Sequence, residues 1–66
     1  MGKHDELIIE PRDDGRWGIK KPHAERSSDI KDTQQKAIKR AKQLAPEGDI
    51  KLKGLDGKFR HIQHGK

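Results

Sequence analysis

The sequence predicts an α+β domain in which two β-hairpins flank one helix. Three observations lead to this fold class. Apolar residues recur at helical spacing over residues 33–45. Two Asp-Gly pairs, at 14–15 and 56–57, mark tight turns. Each pair lies between short apolar runs of the kind that form strands. The order β-β-α-β-β therefore predicts a helix packed on one face of an antiparallel sheet of about four strands.

The first hairpin is predicted from residues 7–20. A β-branched run over residues 7–9 is followed by Pro11, which disfavours further strand pairing. After the Asp-Gly turn, residues 17–20 form the second strand. Alternation places Leu7 and Ile9 on one face of the first strand, and Trp17 and Ile19 on one face of the second. We expect these faces to meet, with Trp17 in the core.

The helix is predicted between Thr33, whose hydroxyl caps the first turn, and Pro46, which ends the last one. Ile30, just before it, is expected to pack on the helix. No acidic residue occurs from 33 to 45, so the outer face is predicted to be entirely basic. The apolar side consists of Ala37, Ile38, Ala41, Leu44 and Ala45, and the outer side of Lys36, Lys39, Arg40 and Gln43 with Lys42 on its flank.

The second hairpin follows the helix. Strict alternation over residues 49–53 turns Ile50 and Leu52 inward. Residues 58–62 return as the fourth strand, with Phe59 in the core, and residues 63–66 are expected to fray. The predicted core is Leu7, Ile9, Trp17, Ile19, Ile38, Ala41, Leu44, Ile50, Leu52 and Phe59. The other sheet face is then predicted to be open, basic and free of aromatics, with Ile8, Gly18, Lys20, Lys51, Lys53, Lys58, Arg60 and Ile62.

Three sequence segments are similar to a known family. They are Ile8-Ile9-Glu10-Pro11 leading through Asp14-Gly15 to Trp17-Gly18-Ile19-Lys20, then Arg26 with Asp32-Thr33 and Ala37, and finally Leu55-Asp56-Gly57-Lys58. In these segments, spread over residues 7–60, the chain resembles small bacterial and phage proteins catalogued as domain of unknown function 2188. The resemblance implies a fold of two hairpins and one helix. It implies no catalytic residues. The basic helix face and the short tail depart from the family's pattern.

Composition limits the function classes. The chain has 66 residues, of which 27% are apolar and 41% charged, and it has no cysteine. We expect one small domain over residues 1–66 with an ordered core of about 5–63, without disulfides or a thiolate metal site. The first residues carry no apolar signal-peptide segment, and no run is long enough to span a membrane. A cytoplasmic protein is therefore expected.

The positive charge is concentrated in the second half. Residues 1–32 hold seven Lys or Arg and eight Asp or Glu, whereas residues 33–66 hold nine and three. Such a half attracts polyanions, because neutralised phosphates release counterions. The main hypothesis is weak, sequence-independent binding of DNA or RNA by a non-enzymatic module through the basic helix face, with a second basic patch on the sheet. The residues predicted to bind are Lys36, Lys39, Arg40, Lys42, Lys51, Lys53, Lys58 and Arg60. No aromatic side chain is predicted at the surface to stack on bases, since Trp17 and Phe59 are both assigned to the core.

The alternative is a protein-interaction module. A small core, an open sheet face and free strand edges favour a homodimer or an inhibitor of bacterial or phage origin that binds an acidic protein. The basic half is also consistent with charge that serves only solubility. The residue pattern alone is consistent with each of these alternatives.

Catalytic and metal sites are not predicted. The pairs Asp13–Asp14 and Asp29–Asp32 fit local hydrogen bonding at turns and helix starts. No phosphate-cradling loop, cofactor motif or small-molecule pocket is evident. His61 and His64 are not expected to converge on a strand and tail, and no third ligand is evident. Removal of Met1 would expose a Gly-Lys-His terminus that suits Cu²⁺ or Ni²⁺.

Overall fold

A computed structural model of the protein describes residues 4–65. One helix lies on a single five-stranded sheet, which confirms the α+β class. The helix is not long and apolar enough to cross a membrane. In chain order the elements are β1 (Leu7–Pro11), β2 (Trp17–Lys20), β3 (Asp29–Lys31), α1 (Gln34–Leu44), β4 (Ile50–Lys53) and β5 (Phe59–Gln63).

The sheet has one strand more than predicted, and it is mixed rather than antiparallel. Its order is β3-β2-β1-β4-β5, with β1 and β4 parallel and the other pairs antiparallel. The extra strand, β3, has only three residues and contains no apolar run, so its sequence carries little strand signal. Its addition reverses the chain once more before the helix. As a result, α1 becomes a crossover between two strands of the same direction, and β4 lies parallel to β1.

Both predicted Asp-Gly turns are confirmed and are built alike. Asp14 Oδ1 accepts a hydrogen bond from the Arg16 amide at 3.0 Å, and Asp56 Oδ1 accepts one from the Lys58 amide at 3.0 Å. The glycine that follows each aspartate has a φ near +85°, a region that L-residues with a side chain avoid. Local chemistry therefore sets both turns.

The helix begins and ends close to the predicted residues. Thr33 Oγ1 accepts a hydrogen bond from the Lys36 amide at 3.2 Å, and the Ala45 amide donates to the Ala41 carbonyl at 2.9 Å. The helix packs mainly against β1, β2 and β3. Ile30 does not pack on it as predicted. Ile30 lies in β3, where it pairs with Gly18 of β2. It therefore shares with Glu10 the sheet face that points away from the helix.

The core lies between the helix and the first two strands with β4. Alanines at 37, 41 and 45 are fully buried, and their small side chains let the helix approach the sheet closely. Trp17, Ile38 and Leu44 pack against this core while remaining partly exposed. The prediction is thus confirmed for most of its members. The buried side chains are Leu7, Ile9, Ile19, Ala37, Ala41, Ala45, Ile50 and Leu52.

The last strand departs from the prediction. Phe59, predicted to be in the core, is 55% exposed, and Ile62, predicted to be on the open face, packs partly buried against the core. Phe59 pairs with Lys53, whose side of β4 faces away from the helix. A bulge follows, because Lys51 pairs with His61 but the adjacent Ile50 pairs with Gln63. Because Phe59 faces away from the helix, alternation along β5 turns Ile62, three residues later, toward it.

Candidate nucleic-acid interface

The outer face of the helix carries the predicted cations, with one correction. Lys36, Lys39 and Lys42 are exposed and form no ion pair with any residue of 4–65; we call them the helix patch. Arg40 is not available in the same way. Its Nε donates to Asp29 Oδ2 at 2.9 Å, so a carboxylate of β3 already neutralises it. The tertiary pairing of β3 beside the helix explains this, since 11 residues separate the two.

Asp29 is held as a carboxylate by three groups. The Arg40 hydrogen bond lowers its pKa below the ordinary value of 3.8, and burial opposes this effect. The Ile30 amide donates to Oδ1 at 2.9 Å, and Lys31 Nζ lies 3.8 Å from the same oxygen. A shallow surface depression of about 200 Å³ beside Arg40 is lined by Lys31, Lys36, Lys39, Arg40 and Gln43.

The open sheet face is less basic than predicted. Lys20 Nζ lies 3.5 Å from Glu10 Oε1, and Lys51 Nζ lies 3.6 Å from Glu6 Oε1. Arg60 pairs with Leu52 and so belongs to the helix side of the sheet. The face instead gains an aromatic residue, because Phe59 lies on it opposite Lys53. Both differences follow from the register of β5 and from acidic neighbours on β1 and before it.

The β4–β5 hairpin concentrates cations that are not neutralised. Lys53, Lys58 and Arg60 form no ion pair within the described part of the chain. Phe59 lies between two of them in sequence and directly opposite the third in register. Leu55 at the hairpin tip is 88% exposed. We call Lys53, Lys58, Phe59 and Arg60 the hairpin patch.

Phe59 lines two open surface depressions. On the helix side, a cleft of about 750 Å³ is lined by Trp17, Leu52, Leu55, Phe59, Lys58 and Arg60, among others. On the open face, a depression of about 340 Å³ includes Ile8, Pro22, Lys51, Phe59 and His61. Phe59 therefore contributes to the lining of a depression on each side of the edge strand. Sequence alternation missed this, although the loop between Lys53 and Phe59 is what decides which face of β5 turns outward.

The histidines give a second correction. His61 and His64 do converge, with ring centroids 4.3 Å apart and planes inclined by 15°. Asp49 provides the third group that the sequence did not reveal. Elsewhere, His4 Nε2 lies 3.5 Å from Glu47 Oε2, and His23 occupies a loop with a φ of 66°. The Gly-Lys-His terminus involves residues 1–3, which lie outside the described residues.

The carboxylate pairs have local structural roles. Asp14 holds its turn, and Asp29 accepts from the next amide, as predicted for such positions. Asp32 Oδ1 lies 4.0 Å from Arg16 Nε at the surface. Turn hydrogen bonds and ion pairs thus explain the positions of three of these four aspartates, namely Asp14, Asp29 and Asp32.

Comparison with known proteins identifies a family but no function. A family model described as "Uncharacterized protein conserved in bacteria (DUF2188)" matches residues 8–64. Comparisons with curated proteins and with solved structures returned no match. The matched range includes every strand and the helix, apart from the first residue of β1.

Proposed function

The chain belongs to the bacterial DUF2188 family, and we propose that it is a non-enzymatic module that binds single-stranded nucleic acid weakly and without reading its sequence. The observation that carries the proposal is the exposed ring of Phe59 among the cations of the hairpin patch. The shallow, open hollows on either side of it suit an extended ligand better than an enclosed substrate. We also propose a cytoplasmic location, in keeping with the lack of cysteine.

Stacking would supply the part of the affinity that duplex DNA cannot use. Any base offers a π-face, so an exposed aromatic ring stacks without selecting a sequence, and each stacked base contributes about 1–3 kcal/mol. In duplex DNA the bases are already stacked on each other. Phe59 would therefore favour single strands over duplexes.

The cations would follow the phosphate backbone along the edge strand. Arg60 and Lys58 line the cleft on the helix side, and Lys53 lies on the open face opposite Phe59. A single strand that crosses β5 at Phe59 meets both groups. The helix patch is on a separate surface. It would attract polyanions at long range without contacting the nucleic-acid strand that is bound at β5.

A fluorescence-anisotropy titration with a labelled oligothymidine of about ten nucleotides tests the proposal. We expect saturable binding at low salt that weakens steeply as salt is added. Phe59→Ala should weaken binding by about tenfold, equivalent to ~1.4 kcal/mol, with an unchanged salt slope. Arg60→Ala should reduce the slope of log K against log salt by about 0.7, the value for one phosphate contact of a single strand.

Matched variants separate contact from net charge. Lys39→Ala removes the same charge as Arg60→Ala but from the helix patch, so its slope should change less. Phe59→Leu keeps an apolar side chain and removes the ring, and it should resemble Phe59→Ala. The proposal fails if the wild-type chain does not bind at low salt, or if Phe59→Ala binds as tightly as wild type.

The open sheet face supports a second candidate, self-association. Its lysines are largely neutralised by Glu6 and Glu10, and Ile8, Pro22 and Phe59 line one depression there. Such a surface fits a second copy of the chain better than a polyanion. Sedimentation equilibrium should then show a dimer that persists at high salt and that Ile8→Lys disrupts. A monomer mass at high protein concentration would exclude this candidate.

A further inference from the structure

A cluster of metal-ligand types lies at the end of β5, outside the hairpin patch. Asp49, His61 and His64 each offer one ligand atom, and these atoms lie within 4.8 Å of one another. We propose that the three side chains bind a borderline divalent transition metal, for which Zn²⁺ is the probe. The proposal is independent of nucleic-acid binding.

The bulge and the strand pairing bring the two imidazoles together. His61 pairs with Lys51 in β4, and the bulge then interrupts regular alternation before His64. In a regular strand, side chains three residues apart point to opposite faces. Here the rings are stacked instead, at a centroid distance of 4.3 Å. This placement depends on the folded chain, because regular alternation would put His61 and His64 on opposite faces of the strand.

Backbone contacts hold the third ligand in place. Asp49 directly precedes β4, and its carbonyl accepts a hydrogen bond from the Leu7 amide at 2.8 Å. Its side-chain Oδ1 accepts a hydrogen bond from the Gly65 amide. This hydrogen bond orients the carboxylate, which offers one oxygen as the third ligand atom. No ion pair with residues 4–65 neutralises Asp49, so its charge remains to attract a cation.

The segment that carries His64 is anchored on the helix end. Gln63 Nε2 donates to the carbonyls of Ala45 and Gly48, both at 2.8 Å. This side chain is partly buried, and it ties the last residue of β5 to the loop after the helix. Gln63, predicted to belong to a fraying tail, is instead the last residue of β5. His64 lies between two anchored residues, Gln63 and Gly65.

The donor set indicates the class of metal. Two imidazole nitrogens and one carboxylate oxygen suit Zn²⁺, Co²⁺, Ni²⁺ or Cu²⁺, whereas Mg²⁺ and Ca²⁺ prefer oxygen donors alone. Three protein ligands leave a coordination position for water, unlike the four-ligand shell of structural zinc sites. Both histidines are exposed, so their rings have room to rotate toward a shared ion.

Calorimetric titration of the full, untagged chain with Zn²⁺ tests the proposal. We expect one equivalent to bind, and NMR signals of the His61 and His64 rings to shift while those of His23 do not. Zn²⁺ is preferred to Cu²⁺ or Ni²⁺ because a Gly-Lys-His terminus would capture the latter two ions. His4→Ala removes that second source of binding and serves as a control.

Three variants should each weaken Zn²⁺ binding by more than about tenfold, since even outer-shell changes cost about that much. They are His61→Ala, His64→Ala and Asp49→Asn. Asp49→Asn is the sharpest, because its amide oxygen still accepts from the Gly65 amide and so preserves the local fold. Circular dichroism of each variant checks folding. The proposal is overturned if Zn²⁺ does not bind stoichiometrically, if these variants bind as wild type does, or if His4→Ala or His23→Ala abolishes binding.

Discussion

The strands under the helix and the edge strand β5 differ in how deeply their side chains are buried. In β1 and β2, the inward side chains of Leu7, Ile9 and Ile19 are fully buried, whereas β5 contains no buried residue. A helix is about 10–12 Å across and neighbouring strands are about 4.8 Å apart, so one helix covers two or three strands. The fifth strand lies beyond its cover. The side chains that stabilise the fold and the side chains available to a ligand thus lie in different parts of a very small protein.

The charges divide in the same way. Most acidic residues of the first half are engaged with nearby cations, as in the pairs of Glu6 with Lys51 and Glu10 with Lys20. The hairpin patch and the helix patch, both in the second half, have cations without such partners among residues 4–65. Thus the excess positive charge of the sequence lies on surfaces that do not pack against the core.

The largest contrast should appear when one large side chain is removed from each region. Ile9→Ala creates a cavity in the core, and we expect it to lower the free energy of unfolding by about 2–5 kcal/mol. Phe59→Ala removes an exposed ring and should change it by less than about 0.5 kcal/mol. Urea unfolding followed by circular dichroism measures both. Equal destabilisation by the two variants would mean that Phe59 is covered in solution.

The link between the two regions can be tested at Gln63. Gln63→Met keeps the length of the side chain but removes the amide that donates to Ala45 and Gly48. Two partly buried carbonyls lose their donor, so we expect a loss of about 1–2 kcal/mol in the free energy of unfolding. Gln35→Met, an exposed helical position, is the matched control. Hydrogen exchange that stays unchanged in β5 of the Gln63 variant would show that the anchor is unimportant.

The smallest expected effect concerns the Asp29–Arg40 pair at the other sheet edge. Because Arg40 lowers the pKa of Asp29 below 3.8, the pair contributes its full stability above that pH, and this contribution is lost as the pH falls from there through the lower pKa of the folded protein. The pair is partly exposed, so the contribution should be below about 1 kcal/mol.

Asp29→Asn isolates this contribution. The difference in thermal stability between wild type and variant should be constant near neutral pH and shrink below pH 3.8. Added salt should reduce it too. A difference that grows on acidification would have the wrong sign for a lowered pKa. The same variant frees Arg40, so it should also bind oligothymidine at least as well as wild type.

Local sequence signals determined the elements whose cause lies within a few residues. Thr33 caps the helix, the Asp-Gly pairs form the turns, and alternation in β1, β2 and β4 turns Leu7, Ile9 and Ile50 inward. Each of these depends on hydrogen bonds or side-chain periodicity over short distances. The exposed lysines at 36 and 39 were predictable for the same reason.

Only the tertiary structure decided the features that depend on distant pairing. The three-residue β3 makes β4 parallel to β1, and it brings Asp29 to Arg40. The loop register exposes Phe59, and the bulge brings His61, His64 and Asp49 together. A shift of one residue in a strand exchanges its two faces, and no short-range signal fixes that choice at an edge strand with little to bury. Both proposed sites depend on that register.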